Sequence, residues 1–346
     1  MFKPLKLNKS KKAFDLPFSW VFSIIAGAFI LFIAIYAATS IVKGGQQVGQ
    51  AESAQKLLNY LNPAVNGITS SSKLTSIVFK RETRIAMSCS ESSSKSPFFG
   101  RQTINFSEQT GFLSKWSQQS ESVSRYNKYI FSNSLEEGKT FYLFVKPFYM
   151  GFKVDDLVFL NAQKYCFIEA PTNINQEIKD LELDNVNLSE SVGKCSNSSI
   201  KVCFGTEFSG CNITVYGTCN SAYCKSEYDS GYIINQDETL NYIGSLIYAG
   251  IFSSPEIYEC NVKRLAKKAS ELSQIYIEKI GIIKQSGCDS IIEPNLQIIK
   301  DTLDKTNSSL ALSELMDIIA DMDDKTRDTN MDCRVYTPNS EEVENA

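Results

Sequence analysis

The pattern of apolar positions begins with a long segment near the N-terminus that contains no charged residue. It runs from Phe18 to Val42 and reads FSWVFSIIAGAFILFIAIYAATSIV. At a rise of about 1.5 Å per residue, a helix of this length crosses the roughly 30 Å hydrocarbon core of a bilayer. A core helix of the same length would normally carry a polar stripe. The segment therefore predicts a transmembrane helix over 18–42.

Positive charge is concentrated on the N-terminal side of this helix. The lysines there are Lys3, Lys6, Lys9, Lys11 and Lys12, opposed by Asp15, whereas Lys43 alone follows closely. Such an excess holds the short N-terminus, residues 1–17, in the cytoplasm and sends the rest of the chain outside. A cleaved signal peptide usually has an apolar core of only about 7–15 residues. We therefore expect an uncleaved, single-pass signal-anchor in the cell membrane, with a C-terminal ectodomain.

Beyond the membrane the period of the apolar positions changes twice. Ala51, Ala54, Leu58 and Leu61 lie at helical spacing after a Gly-Gly pair and predict a juxtamembrane helix within 43–67. Short segments rich in aromatic and β-branched residues follow, such as TFYLFVK and YCFIEA. They predict antiparallel strands in a β-rich ectodomain.

The period becomes helical again near residue 237. Helices are predicted from Leu240 to Phe252, from Pro255 to about Gly287, and near 292–306 and 309–323. The last two have similar lengths and a short connection, which favours an antiparallel hairpin. The final residues are rich in acidic side chains and are expected to be flexible.

The predicted fold class is α+β. It comprises an N-terminal transmembrane helix, a β-rich extracytoplasmic module with a disulfide-stapled ribbon, and a C-terminal antiparallel helical bundle. The domains are 1–17 (cytoplasmic tail), 18–42 (transmembrane helix), 43–67 (juxtamembrane helix), 68–236 (β-rich ectodomain), 237–325 (helical bundle) and 326–346 (acidic tail).

All ten cysteines follow the membrane segment. They are Cys89, Cys166, Cys195, Cys203, Cys211, Cys219, Cys224, Cys260, Cys288 and Cys333. An even number of cysteines confined to the exterior indicates disulfides, and zinc is disfavoured because the chain has neither C-x-x-C nor histidine. The cysteine-dense stretch 195–224 has strand candidates at Ile200–Phe204 and Asn212–Tyr216, which predict the stapled ribbon.

Helix length constrains one pairing. A straight helix from Pro255 to Lys284 would hold Cys260 and Cys288 about 42 Å apart, beyond disulfide reach. Cys288 enters the predicted helical hairpin and Cys333 leaves it, so we expect these two to pair. The remaining cysteines then require at least one bond between the ribbon and the rest of the ectodomain.

The absence of histidine excludes Ser-His-Asp and Cys-His nucleophiles and histidine-bound metals. Carboxylate, Ser-Lys and substrate-assisted chemistry remain available. Removing the five lysines and one aspartate of the first seventeen residues leaves 30 basic and 38 acidic residues, a net charge of −8. An acidic ectodomain without a basic stripe argues against nucleic acid as a partner. No cofactor is indicated.

Three patterns resemble catalytic or metal-binding groups, and each has a simpler structural interpretation. Asp229-Ser230-Gly231 matches one half of an aspartic-protease dyad, but the chain contains no second such triplet, so a turn is favoured. A turn is also favoured for Asp155-Asp156. Ser92 with Lys95 and Ser198 with Lys201 have Ser-x-x-Lys spacing, which serine-rich segments produce by chance. We therefore assign no catalytic residue.

The third pattern is the start of a calcium-binding loop. Asp328, Asn330 and Asp332 match its first three ligand positions. Cys333 stands where the loop needs glycine, and Asn339 where it needs glutamate. We therefore predict no metal site. Five asparagines beyond the membrane segment lie in N-x-S/T sequons that permit glycosylation: Asn105, Asn187, Asn197, Asn212 and Asn307.

Lys11-Lys12-Ala13 followed by a long apolar helix resembles the leader of archaeal type IV pilins. This resemblance implies cleavage after Ala13 and assembly through the apolar stem, and it covers residues 14 to about 170. More broadly, the single anchor and the cysteine-bearing exterior, including Tyr258-Glu259-Cys260-Asn261, resemble uncharacterised archaeal single-pass surface proteins.

Together these observations predict a membrane-anchored extracytoplasmic binding or scaffolding protein of the cell envelope, without catalysis. Its expected partners are the membrane and a protein or another envelope component, and oligomerisation through the membrane helix is compatible with the sequence. A pilin-like subunit is the first alternative. The second is an anchored carboxylate-dependent hydrolase using Asp155, Asp156 or Asp229.

Overall fold

The structure is a computed structural model that divides the chain into two compact units, Met1–Glu52 and Ser53–Ala346. The residues it describes are 18–60, 75–91, 99–109, 115–117, 119, 122–205, 209–219, 224, 226–288, 290–305, 308–329 and 333–336. The prediction of a mixed fold of helices and β-sheets with one apolar N-terminal helix is confirmed.

The first helix, α1 (Phe18–Tyr60), is continuous over 43 residues. Its segment Trp20–Ser40 has a mean hydropathy of 2.5 and is long and apolar enough to cross a membrane, as a signal sequence would also be. The separate juxtamembrane helix predicted after the Gly44-Gly45 pair is wrong, because α1 continues through both glycines. Glycine costs a helix only about 1 kcal/mol relative to alanine, which the flanking helix-forming residues offset.

Six strands form the first sheet. They are β1 (Thr75–Ser90), β2 (Arg101–Glu108), β3 (Val123–Tyr126), β4 (Tyr129–Phe131), β5 (Leu135–Met150) and β6 (Phe152–Asn161), in the order β3-β2-β1-β5-β6-β4. Neighbouring strands are antiparallel except β4, which runs parallel to β6. The antiparallel arrangement predicted for this region is therefore correct for most of the first sheet.

Both faces of the first sheet are apolar, which explains the nearly continuous apolar run in β5. Phe141 and Leu143 belong to one buried cluster, which Leu57 from the end of α1 also joins. Phe144 and Phe148 point the other way, into the main core. A strand covered on both faces loses the simple alternation of a half-exposed one.

The second sheet contains the cysteine-dense region. Its elements are β7 (Tyr165–Ile168), α2 (Thr172–Asp180), β8 (Val186–Ser189), β9 (Ile200–Phe204), β10 (Ile213–Gly217), β11 (Ser230–Asn235) and β12 (Glu238–Ile243), with strand order β12-β11-β10-β9-β7-β8. Strands β8, β7, β9 and β10 are parallel, and β10, β11 and β12 are antiparallel. The antiparallel arrangement predicted for the segment YCFIEA is therefore wrong, because β7 runs parallel to both of its neighbours.

The predicted ribbon over 195–224 needs correction. Its strands lie where expected, but β9 and β10 are parallel neighbours inside the six-stranded sheet. The apolar pattern locates strands without giving their direction. The loop that returns the chain from β9 to β10 is closed by the disulfide Cys203–Cys211.

The C-terminal helices are α3 (Leu246–Phe252), α4 (Pro255–Lys284), α5 (Glu293–Asp304) and α6 (Met316–Asp328), with a 3₁₀ turn at Ser309–Glu314. Two predicted helices are therefore wrong in part. The segment Leu240–Phe252 divides into the end of β12 and α3, because Gly244 adopts a positive φ of 50° between them. The helix predicted at 309–323 begins as the 3₁₀ turn and becomes α-helical at Met316.

These helices do not form a separate bundle. Every residue of α3 is buried, and α3 contacts β6, β11 and β12, while α4 contacts β1, β4, β6 and β12. Phe252 of α3 packs against Tyr165 of the second sheet and Phe144 of the first, with ring centroids 4.7 and 5.6 Å apart. Sheets and helices therefore share one hydrophobic core.

The tail predicted to be flexible over 326–346 is ordered in its first part. Helix α6 continues to Asp328, and Val335 and Tyr336 are buried. The Tyr336 ring lies 5.4 Å from that of Tyr276 on α4. Residues 337–346 lie outside the described part of the chain.

The ten cysteines form five disulfides: Cys89–Cys260, Cys166–Cys195, Cys203–Cys211, Cys219–Cys224 and Cys288–Cys333. The last is the pairing expected from the helical hairpin. Cys166–Cys195 provides the expected link between the cysteine-dense region and the strands before it. Cys89–Cys260 joins β1 to α4 across 171 residues of sequence.

Candidate functional site

The two adjacent aspartates expected in a turn lie instead within β6. The Asp155 carboxylate pairs with Lys268 of α4, and Asp156 Oδ1 lies 2.7 Å from Lys153 Nζ. Phe148 of β5 pairs with Asp155 and the next residue, Tyr149, pairs with Lys153, so β6 has a bulge at Val154. Both carboxylates therefore have a structural ion pair.

The Asp229-Ser230-Gly231 triplet is explained by packing. Asp229 ends a short 3₁₀ helix, Glu227–Asp229, and its carboxylate accepts a hydrogen bond of 3.0 Å from the Ser226 backbone N–H in a capping box. A Cβ on Gly231 would lie 1.9 Å from the Tyr216 carbonyl oxygen of β10, so this position needs glycine.

The remaining sequence candidates do not assemble into a site. The Ser198 hydroxyl lies 2.9 Å from that of Ser196, while the backbone of Lys201 pairs with Cys166 in the sheet. Asp328 is the last residue of α6. The positions 92, 95, 330 and 332 lie outside the described residues, and across the described ranges no group of three potential metal ligands comes together.

The motif Tyr258-Glu259-Cys260-Asn261 joins α4 to other elements. The Tyr258 hydroxyl donates to the Asn241 carbonyl at the edge of β12, and Glu259 accepts a 2.9 Å hydrogen bond from the Ser309 backbone N–H. Cys260 forms the long-range disulfide, and the Asn261 amide donates to a carbonyl of β4 at 2.9 Å. All four side chains thus have structural roles.

A cleft elsewhere in the globular unit brings together charged and aromatic side chains. It has a volume of about 240 Å³ and lies between β5, α2, the 3₁₀ helix at 227–229 and the junction of β12 with α3. Its polar and aromatic lining includes Lys146, Tyr149, Glu177, Tyr228, Asp229 and Tyr248. Ligand sites for drug-sized molecules are about 300–1,000 Å³, so this cleft suits a smaller ligand or a single protruding side chain.

Lys146, Glu177 and Tyr248 form a connected network on the cleft wall. Lys146 Nζ lies 2.7 Å from Glu177 Oε2 and 5.1 Å from the centre of the Tyr248 ring. The Tyr248 hydroxyl donates to the same carboxylate oxygen. The Lys146 side chain is 16 % exposed and that of Glu177 is 45 % exposed, so the network is fixed at its base and open to solvent at its rim.

Two tyrosines that line the cleft, Tyr228 and Tyr248, have raised pKa values. Burial raises the pKa of the Tyr248 hydroxyl well above its ordinary value, and the negative charge of Glu177 raises it further. Burial, followed by Glu227, also raises the pKa of Tyr228. Both phenols are therefore protonated hydrogen-bond donors near neutral pH, and Ser245 in the cleft donates its hydroxyl to the Pro147 carbonyl at 2.7 Å.

The cleft offers cationic donors and anionic acceptors side by side. A lysine ammonium has three N–H donors, and one carboxylate has several lone pairs, so both Lys146 and Glu177 keep capacity for a polar ligand. Sequence reasoning missed this site because its residues come from four elements. One available signal was Lys146 itself, a charged residue inside the apolar run FYLFVKPFYM.

Comparison with protein-family models, curated proteins and solved structures found no match to this chain.

Proposed function

We propose that this chain is a membrane-anchored extracytoplasmic protein that binds or scaffolds a partner in the cell envelope, without catalysing a reaction. The observation that carries the proposal is the joining of a membrane-length apolar helix to a globular unit held by five disulfides. Disulfides persist in oxidising compartments, and the lysine-rich N-terminus orients the globular unit outwards.

The cleft supports binding as the role of the globular unit. Its ion pair and buried phenol are held in place before any ligand arrives, which lowers the entropic cost of association. The cleft has no histidine, and the hydroxyls of Tyr228 and Tyr248 stay protonated at neutral pH. A polar group of the partner that hydrogen-bonds to the solvent-exposed side of the Lys146–Glu177 ion pair is the interaction this arrangement favours.

Site-specific photo-crosslinking tests the binding role. A photoreactive residue replaces Asn173, which is exposed on the cleft rim in α2, or Asp180, which is exposed on the same helix away from the cleft. We expect a crosslinked envelope partner from position 173 and little from position 180. The Glu177→Gln variant should reduce the yield, because the carboxylate charge is removed. Equal yields from both positions would exclude the cleft as the binding surface.

A pilin-like subunit is the second candidate, and one observation favours it. Helix α1 continues without interruption from the apolar segment to Leu57, which is buried among residues of the first sheet. Assembly through an apolar helix requires that this helix be joined to the globular unit. N-terminal sequencing of the protein purified from its membrane separates the two candidates. A mature chain that begins at Phe14 supports the subunit, and an intact N-terminus supports the simple anchor.

A further inference from the structure

The second sheet has one face in the main core and one outer face that no sheet covers within the described residues. Tyr165, Phe167 and Val202 point into the core. Cys166 and Cys203 point the other way, into a small outer cluster with Cys195. Two disulfides, Cys166–Cys195 and Cys203–Cys211, therefore hold loops against this outer face.

Two sequon asparagines lie on the outer face in one row across the strands. Asn187 of β8 is paired with Cys166 of β7, and Cys166 is paired with Lys201 of β9. Asn212, just before β10, donates its backbone N–H to the Lys201 carbonyl at 2.9 Å. Strands are about 4.8 Å apart, so Asn187 and Asn212 are separated by three spacings, about 14 Å.

A third sequon lies in the loop that leads to β9. Asn197 follows Cys195 by two residues, and the disulfide to Cys166 fixes this loop on the same face. The backbone N–H of Ser199 donates to the Ser196 carbonyl at 3.1 Å, which forms a turn with Asn197 inside it. Three of the five sequons that follow the membrane segment thus surround one pair of stapled loops.

The acceptor amides of these asparagines are accessible in the folded protein. Asn187, Asn197 and Asn212 are all exposed. The Asn212 side chain uses its oxygen, Oδ1, to accept the Lys201 backbone N–H at 2.9 Å. Its nitrogen, Nδ2, is the atom to which a sugar is attached, and it has no hydrogen-bond partner among the described residues.

Asn105 provides an internal contrast. It is half-buried on β2, and its Nδ2 donates to the Gln119 side-chain oxygen at 3.2 Å. A sugar on Asn105 would therefore have to displace an existing hydrogen bond. Asn307 lies outside the described residues.

We propose that the outer face of the second sheet is an N-glycosylated surface, with oligosaccharides on Asn187, Asn197 and Asn212. The inference rests on the proposed extracytoplasmic location. In the transfer, a C–N bond forms between Nδ2 and the anomeric carbon of a lipid-linked oligosaccharide phosphate. The bond from that carbon to the phosphate oxygen breaks, the phosphate leaves with the electron pair, and the amide proton is released to base. No atom is oxidised or reduced.

Peptide mapping of the full-length protein from its native membrane tests the proposal. The protein is digested without reduction, and the same mass spectra report carbohydrate on each asparagine and the state of each cysteine. We expect carbohydrate on most molecules at Asn187, Asn197 and Asn212, with Asn105 unmodified and both outer-face disulfides intact.

The outcomes separate this proposal from the proposed location. Intact disulfides with the three asparagines bare would overturn the glycan surface and leave the extracytoplasmic location standing. Free cysteines together with bare asparagines would overturn the location. Carbohydrate on Asn105 alone would contradict the argument from accessibility.

A matched pair of variants tests one position without disturbing the asparagine. Thr214→Val removes the sequon of Asn212 at a half-exposed strand position, where a β-branched residue is retained. We expect the loss of one oligosaccharide from this protein and no loss from Thr214→Ser, which keeps the sequon. An unchanged mass in the valine variant would exclude Asn212 as a glycosylation site.

Discussion

The buried carboxylate of Glu136 predicts an unusual dependence of stability on pH. This residue of β5 is fully buried and accepts hydrogen bonds from the Asn133 side-chain amide at 2.7 Å and from the Ala162 backbone N–H at 2.9 Å. These bonds stabilise the charged form, but desolvation by burial outweighs them and raises the pKa from 4.5 to about 7. Glu136→Gln removes the titration while keeping the shape of the side chain.

The sign and size of the effect follow from proton linkage. Between pH 4.5 and about pH 7 the folded protein retains a proton on Glu136 that the unfolded chain has released, so this residue lowers the free energy of unfolding as pH rises. The loss is complete above the folded pKa. At about 1.4 kcal/mol per pH unit, the gap between the two pKa values corresponds to about 3 kcal/mol.

Urea titrations of the full-length protein in mild detergent, followed by fluorescence, measure this effect at pH 4.5 and pH 8. The free energy of unfolding of Glu136→Gln minus that of the wild type should rise by about 3 kcal/mol between the two pH values. At pH 4.5, the difference in free energy of unfolding between the variant and the wild type measures the cost of placing a side-chain amide where the Ala162 backbone N–H needs a hydrogen-bond acceptor. Only the change with pH tests the titration.

Glu137→Gln is the matched control. It is the next residue of the same strand, with a side chain 40 % exposed and an ion pair with Arg84 at 2.6 Å. Exposed ion pairs contribute about 0–1 kcal/mol, so its difference from the wild type should stay small at both pH values. A Glu136→Gln difference that is the same at pH 4.5 and pH 8 would show that Glu136 does not have a raised pKa in the folded protein.

Three further predictions concern stability and use the same urea titrations. Replacing Cys288 and Cys333 by serine removes a disulfide between residues 45 apart in the sequence and should lower the free energy of unfolding by about 4 kcal/mol. An unchanged free energy of unfolding under oxidising conditions would show that the disulfide is not formed. Gly231→Ala places a methyl group 1.9 Å from a backbone oxygen and should destabilise by more than about 3 kcal/mol, whereas Gly193→Ala, with open space around it, should be nearly neutral. Arg264→Lys removes buried guanidinium hydrogen bonds to three backbone carbonyls and should lower the free energy of unfolding by about 2–4 kcal/mol. A smaller decrease would show that these hydrogen bonds do not stabilise the fold.

Local patterns were sufficient to locate many elements but not to orient or join them. The run at Ile200–Phe204 is short and apolar, so its position as a strand could be predicted. Its parallel pairing with β10 depends on where the intervening loop folds, which no local pattern encodes. Segment 240–252 fits either period, and it divides at Gly244 because a strand there completes the second sheet.

The same distinction applies to the covalent links and the cleft. Cys288 and Cys333 flank consecutive helices, so helix length and loop length suggest their pairing. Cys89 and Cys260 are 171 residues apart and meet only because α4 packs across β1. Lys146 and Glu177 likewise come from separate elements, so their ion pair could not be derived from spacing.

We propose that one apolar helix anchors the globular unit outside the cell. Protease added to intact cells carrying distinct tags at the two ends of the chain tests it most directly. We predict that the C-terminal tag and the region beyond Lys43 are digested while the N-terminal tag survives until the membrane is permeabilised. Survival of the C-terminal tag in intact cells, with digestion only after permeabilisation, would contradict the location, the disulfide chemistry and the proposed surface function together.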